Sequence, residues 1–205
     1  VSSATYEARA RGVRSAMPVA QARRLCPDAH FLRGDFPYYR DLSRRFRAIL
    51  HDISPVVEIA SIDEAYLDAT GLTEGREQRA EGRSAENDAA LSAATQRVPG
   101  PPPSALAQTI KRRLARDTGL TCSIGVAPNK TLAKIASDLR KPDGLVVVPQ
   151  GAAAGAAFLA PLPAGALPGV GPKSQARLAE VGIRTIGDLA AASPPLLRRV
   201  FGERI

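Results

Sequence analysis

The stretch Ser61-Ile62-Asp63-Glu64-Ala65-Tyr66-Leu67-Asp68 constrains the fold more than any other in this chain. The runs on either side, Val56 to Ala60 and Ala65 to Ala69, have the length and apolar character of short strands. The chain therefore passes from one strand into another through two adjacent carboxylates. Neighbours on a regular strand point to opposite faces. At an irregular junction both can face one site, where they repel unless a cation separates them. Magnesium suits such hard oxygen ligands, with substrate phosphates completing its shell. An acidic hairpin tip facing water accounts for the same eight residues equally well.

The chain of 205 residues is long enough for a full core, in one or two domains. A hydrophobic content of 44% with 23% charged residues fits a soluble globular protein. No apolar run approaches 18 residues and no basic-then-apolar leader opens the sequence, which leads us to expect a cytoplasmic protein. Cys26 and Cys122 are too few and too far apart for a disulfide framework or a metal cluster, so both are expected reduced, buried and inert. The net charge of +8 is unevenly spread. Residues 61–103 carry four Arg against eight Asp or Glu, and the remainder is strongly basic. A basic body around an acidic centre suits a protein that grips a phosphate backbone and holds metal inside.

Helical periodicity follows over Tyr39 to Ile53, where Leu42, Phe46, Ile49, Leu50 and Ile53 share a face, and a shorter helix is predicted from Ala20 to Leu25. Residues 73–103 have no period and end in Pro99-Gly100-Pro101-Pro102-Pro103, the composition of a flexible, solvated insertion. Ser104 is a candidate N-cap for a helix carrying Leu106, Ile110 and Leu114, closed by Gly119. A strand over Leu120 to Ala127 comes next, and Asn129 can cap a helix buried through Leu132, Ile135, Ala136 and Leu139. Gly144 to Val148 is the last strand. The order β-β-α-β-α-β predicts an α+β layer, a mixed sheet with helices packed on one face. Gly151 to Pro163 reads as a linker or weak helix, and residues 165–205 as a small separable helical unit.

In that last unit, Pro168-Gly169-Val170-Gly171-Pro172-Lys173 precedes a helix that Gly182-Ile183 breaks, with Thr185 capping the next. Gly169 and Gly171 at a helix start let backbone N–H groups converge on a phosphate oxygen, and Lys173 adds a point charge. Such contacts position a duplex without reading its sequence. An ordinary turn between helices requires flexible residues too.

Four stretches together resemble the Y-family, or translesion, DNA polymerases, and within them the DNA polymerase IV subfamily. They are Tyr6-Glu7-Ala8-Arg9 running on to Gly12-Val13-Arg14-Ser15-Ala16-Met17-Pro18, and Ser61 to Asp68. The others are Ser123 to Ala127 with Asn129-Lys130 and Leu132 to Asp138, and Lys141-Pro142-Asp143-Gly144. A helix-hairpin-helix at Pro168 to Leu178 follows in the family's expected place. The resemblance implies fingers over 1–35, a palm over 36–148 with the insertion at 73–103, and a thumb over 149–205. It implies two Mg2+ ions, with Asp63 binding both and Glu64 completing the site beside the primer 3′ hydroxyl. Tyr6, Arg9 and Lys141 would contact the incoming triphosphate, and Ser3 would touch it. Small residues at Ser2 and Ala16 would leave room for damaged bases. The implied partners are primer–template DNA, a deoxynucleoside triphosphate and a sliding clamp reached through a carboxy-terminal segment, with the protein a monomer.

Two parts of the family pattern are missing from the sequence: a metal-binding Asp on a first palm strand, with its nearby aromatic residue, and a carboxy-terminal little-finger domain. The resemblance thus implies a fragment, expected to have negligible activity alone. Competing readings are a non-catalytic DNA-binding accessory of the same fold, a nucleotide cyclase, and a plain DNA-binding module built on residues 165–205.

Overall fold

The computed structural model describes residues 1–73 and 101–202, together with the backbone of 76–77 and 97–98. Two compact units result, Val1–Tyr39 and Arg40–Ile205. Among the described residues no helix is long and apolar enough to cross a membrane.

In the first unit, α1 (Tyr6–Ala10) starts at Thr5, whose hydroxyl accepts from the Ala8 N–H, and α2 (Val19–Leu25) follows Pro18. The predicted short helix thus begins one residue earlier than its apolar pattern suggested. Val13, Ala22 and Cys26 form the buried centre, packed by Val1, Ala4, Ala8, Met17, Ala29 and Phe31. Arg23 lies 4.6 Å over the Phe31 ring and Arg11 pairs with Asp28 at 2.7 Å, which closes the small core from outside.

Helix α3 (Phe36–His51) begins three residues before the predicted start, because the Asp35 carboxylate accepts from the Tyr38 N–H and caps it. Strands β1 (Val57–Ile59) and β2 (Ala65–Leu67) pair antiparallel, with Glu58 opposite Tyr66. The expected insertion at 73–103 falls largely outside the described residues. Within its span Arg76–Glu77 (β3) pairs antiparallel with Arg97–Val98 (β4).

Helix α4 (Pro103–Thr118) starts before the predicted cap. Pro102 occupies the cap position and Pro103 the first turn, so Ser104 caps nothing; proline's fixed φ suits a first helical residue better. The helix ends at Gly119 in the left-handed conformation, as its sequence predicts. Strand β5 (Ile124–Val126) is shorter than the predicted run and pairs in parallel with β6 (Leu145–Val147). Between them α5 (Lys130–Leu139) is capped by Asn129, whose Oδ1 accepts from Leu132 N–H at 2.9 Å. Leu132, Ile135 and Ala136 are buried, but Leu139 at the last turn is 40% exposed rather than part of that face.

The α+β class is as expected, with antiparallel and parallel pairing both present. Among the described residues, however, the pairs stay separate ladders, β1-β2 and β5-β6, and no hydrogen-bonded strand joins them into one sheet. What joins them is packing. Ile49 and Leu50 of α3 and Ile110 and Leu114 of α4 form one cluster, on which Val57, Ala65, Leu67 and Ile124 all pack. Gly125, the residue after Ile124, meets α5. A Cβ built there would lie 2.1 Å from the Ala133 carbonyl oxygen and 2.6 Å from the Ser137 nitrogen. Backbone therefore lies directly on backbone, a contact only glycine permits.

The stretch read as a linker or weak helix contains a helix, α6 (Ala152–Leu159), whose Phe158 and Leu159 pack with Leu132, Ala136 and Val148. A 3₁₀ turn at Ala164–Ala166 leads to α7 (Pro172–Glu180), α8 (Ile186–Ala191) and α9 (Pro194–Phe201). Ala164, Leu178 and Ile183 are the buried centre of this region. Thr185 and Asp188 form a reciprocal capping box at the start of α8, bearing out the predicted cap.

Candidate active site

Asp63 and Glu64 occupy the turn between β1 and β2, which closes when the Ala60 and Ser61 N–H groups both donate to the Glu64 carbonyl, at 3.0 and 3.1 Å. Ser61 organises this tip. Its hydroxyl donates to Asp63 Oδ1 at 2.6 Å and accepts from the backbone N–H groups of Asp63 and Glu64. The turn thus holds the Asp63 carboxylate and the backbone of both acidic residues. Asp63 is exposed and Glu64 half-buried.

The two carboxylates have different partners. Asp63 is bonded to Ser61, whereas Glu64 Oε1 accepts from the Lys134 ammonium on α5. One helical turn earlier, Lys130 pairs with Glu58 on β1 and sits 5.8 Å over the Tyr66 ring. Two lysines four residues apart on α5 thus hold the acidic hairpin. Lys134 also lies 3.5 Å from Asp138, whose other oxygen is 2.6 Å from Lys141. The result is an alternating chain of charge, Glu64–Lys134–Asp138–Lys141. Burial pulls the Lys134 ammonium down, but its hydrogen bond to Glu64 and the charges of Asp138 and Glu64 outweigh this and leave its pKa raised.

The sequence singled out Asp63, Glu64 and Lys141 in this region but gave no role to Ser61, Lys134 or Asp138. The spacing Lys134–Asp138–Lys141, close to two helical turns, was a readable signal that those side chains share one side. The partner across space, Glu64, was not readable from sequence.

The donor set suits a hard divalent cation. Its carboxylate oxygens are of the preferred type, and Lys134 neutralises Glu64 as it stands. Among the described residues no group of three or more His, Cys, Asp or Glu is placed to hold a metal by itself.

The other sequence-predicted residues are described within their own regions. In the first unit, Tyr6 stands on α1 at 55% exposure and Arg9 is half-buried, its Nε donating to the Ala4 carbonyl at 2.9 Å. Ser3 is exposed just before α1, and so is Ser2. Ala16 is exposed with a φ of 66°, in the left-handed region unusual for a residue with a side chain. Near the carboxy terminus, Gly169 has a φ of 92° and Gly171 forms the cap position of α7, with open space where either Cβ would project. Lys173 follows on the exposed first turn. No side chain caps α7, and Pro172 in its first turn has no N–H to satisfy.

Cys26 is buried, as expected, while Cys122 is only partly so; both are free thiols. Burial raises the Cys122 pKa, which keeps that thiol protonated at neutral pH.

Residues 1–138 match the model of the impB/mucB/samB family, and residues 165–205 match that of the DNA polymerase-iota thumb domain. The chain is 47% identical over 189 residues to a DNA polymerase IV of Halorhodospira halophila, a match covering 92% of this chain and 46% of that protein. It is 41% identical over 203 residues to a DNA polymerase IV of Caulobacter vibrioides, covering 99% and 44%. The chain therefore spans about half the length of the curated relatives it matches. Among solved structures, DinB from Sulfolobus solfataricus superposes with a TM-score of 0.77 at 32% identity, over 97% of this chain and 51% of that one. An insertion ternary complex of Dbh DNA polymerase gives 0.73 at 32% identity, over 97% and 50%. With a family model matching residues 1–138 and relatives above 40% identity along nearly the whole chain, this protein belongs to the impB/mucB/samB family, the Y-family polymerases, in their DNA polymerase IV group.

Proposed function

We propose that the chain carries the catalytic centre of a translesion DNA polymerase, which adds deoxynucleotides to a primer opposite damaged or undamaged template. The observation that carries this reading is the β1–β2 tip. Its turn carries Asp63 and Glu64 at adjacent positions, with the Asp63 carboxylate held by Ser61 and the Glu64 carboxylate paired with the Lys134 ammonium.

In this reading Asp63 and Glu64 would hold Mg2+ ions, Asp63 serving two of them and Glu64 joining it on the primer side. Such ions, when bound, lower the pKa of the attacking hydroxyl and neutralise charge on the attacking and leaving oxygens. Ser61 fixes the Asp63 carboxylate through their 2.6 Å hydrogen bond, so that little ordering remains for the binding step. Lys141 supplies a compact charge to the triphosphate, Arg9 a planar fork and Tyr6 a hydroxyl donor. Ser3 adds a further hydroxyl contact. Gly169 and Gly171 expose the α7 N–H groups to the duplex backbone, and Lys173 adds its charge to the same phosphate. Ser2 and Ala16, with little side-chain bulk, leave room for a distorted base pair.

We further assign fingers to 1–35, palm to 36–148 and thumb to 149–205. We also assign primer–template DNA and a deoxynucleoside triphosphate as substrates, a monomeric cytoplasmic protein, and a sliding clamp as partner.

The experiment is primer extension by the full-length protein with Mg2+, beside Asp63→Ala and Glu64→Ala. Each variant is expected to lose extension by about a thousandfold or more while binding primer–template with unchanged affinity. Normal extension by either would remove the assignment. Binding without extension in the wild-type protein would instead indicate a DNA-binding relative without catalysis.

A further inference from the structure

We propose that Lys134 is a positioning residue of this site: one ammonium on α5 holds Glu64 and, by sharing Asp138, keeps Lys141 available to the triphosphate. The inference rests on the polymerase reading above and deepens it.

Three ion pairs in series carry it. Lys134 donates to Glu64, lies 3.5 Å from Asp138 Oδ2, and leaves Asp138 Oδ1 to Lys141 at 2.6 Å. Lys134 is the least exposed of the four, its side chain 29% accessible against 43% to 48% for the others. Single exposed pairs of this kind contribute little to stability, so the arrangement matters for where charges sit. Helix α5 cannot drift, because its backbone lies against Gly125 and its Ile135 and Ala136 are fully buried. A rigid element therefore sets the ammonium, and the ammonium sets the carboxylate.

The two ends of the series are coupled. Glu64 beside Asp63 needs a positive neighbour while no metal is bound, and Lys134 supplies it. At the other end, Lys141 must leave Asp138 to meet a triphosphate. Asp138 is not stranded when it does, because Lys134 remains as its second cation. Remove Lys134 and both functions fail together: Glu64 loses its anchor, and Asp138 holds Lys141 alone.

The test uses the full-length protein with K134M, K134R, D138N and the double variant K134M/D138N. For K134M, kcat is expected to fall about tenfold or more as Glu64 is misplaced. KM for the nucleotide should rise about fivefold as Asp138 captures Lys141. The double variant returns KM to within about twofold of wild type while kcat stays low, a split that a general loosening of α5 would not produce. K134R, which keeps the charge, retains both constants within about threefold. Should K134M not fold, D138N alone decides: releasing Lys141 lowers KM, and a rise overturns the proposal.

A second readout is independent of activity. In the metal-free protein, the Lys134 ammonium nitrogen resonance shifts in E64Q and in D138N. Lys134 signals that ignore both substitutions, or K134M kinetics matching wild type beside an inactive D63A, overturn the positioning role and leave the polymerase reading standing. Equal extension by wild type and D63A overturns both.

Discussion

Replacing Gly125 with Ala tests the contact that fixes the helix behind the acidic tip. The new methyl would stand 2.1 Å from the Ala133 carbonyl oxygen, 2.6 Å from the Ser137 nitrogen and 2.9 Å from the Ala136 Cβ. Ordinary contact begins near 3.4 Å, so α5 must retreat by a little over 1 Å. The nearest obstacles are backbone atoms, and no rotamer change relieves them. Retreat in turn opens the cluster of Leu132, Ala136 and Val148. Removing a strand glycine gains about 0.5–1 kcal/mol. Overpacking of this severity costs about 3 kcal/mol or more, so the net loss is about 2 kcal/mol or greater. In a chain of this size that lowers Tm by roughly 4–8 °C. Circular dichroism at 222 nm during heating, with urea unfolding beside it, reads the change. A variant that melts within about 2 °C of wild type would refute the backbone-on-backbone packing, and with it the fixed origin of Lys134.

Four further outcomes follow from particular contacts. Gly171→Ala has open space around its Cβ and an ordinary φ of −79°, so its melting should be unchanged, while primer–template affinity falls several-fold as the methyl obstructs the phosphate; unchanged affinity removes the α7 start from the DNA surface. Leu178→Ala deletes a fully buried side chain and is expected to cost about 2–5 kcal/mol by urea unfolding, against about zero if the helical region lacks its own core. Thr185→Ala breaks the capping box and should cost about 1 kcal/mol in the same assay. Hydrogen bonds from the Thr185 and Arg184 backbone, then from the Thr185 hydroxyl, hold the Asp188 carboxyl below the usual range of 3.8. Its contribution is therefore present in full above that unfolded value and lost as pH falls through the folded one, so Asp188→Asn should lose less Tm than wild type between pH 7 and pH 3; equal losses contradict the assignment.

The readable parts of this chain were those set by local chemistry. Asn129, Gly119 and Thr185 each do at their helix ends what their local chemistry dictates, and the short apolar runs on either side of Asp63-Glu64 form the β1–β2 hairpin. Ser104 misled because a proline beside it fits the first turn better, and proline leaves no hydroxyl pattern to notice. Leu139 fits the helical period but is the last residue of α5 and is 40% exposed. Alanine-rich 151–163 leaves linker and weak helix open because weakly hydrophobic residues hide their pattern; it is a helix, docked through Phe158 and Leu159. The separation of β1-β2 from β5-β6 depends on long-range pairing that no local signal encodes. Lys134 belongs with these: its partner stands 70 positions away, and only folding brings them together.

The central claim is that Asp63 and Glu64 hold the cations of nucleotidyl transfer. Its most direct test is a crystal structure of the full-length protein with primer–template, a non-hydrolysable deoxynucleotide and Mn2+, read by anomalous scattering. The account predicts manganese peaks ligated by both carboxylates, with Lys134 displaced from Glu64 Oε1 or moved wholly toward Asp138. Peaks elsewhere, with Glu64 still on Lys134 and Asp63 free of metal, would contradict it.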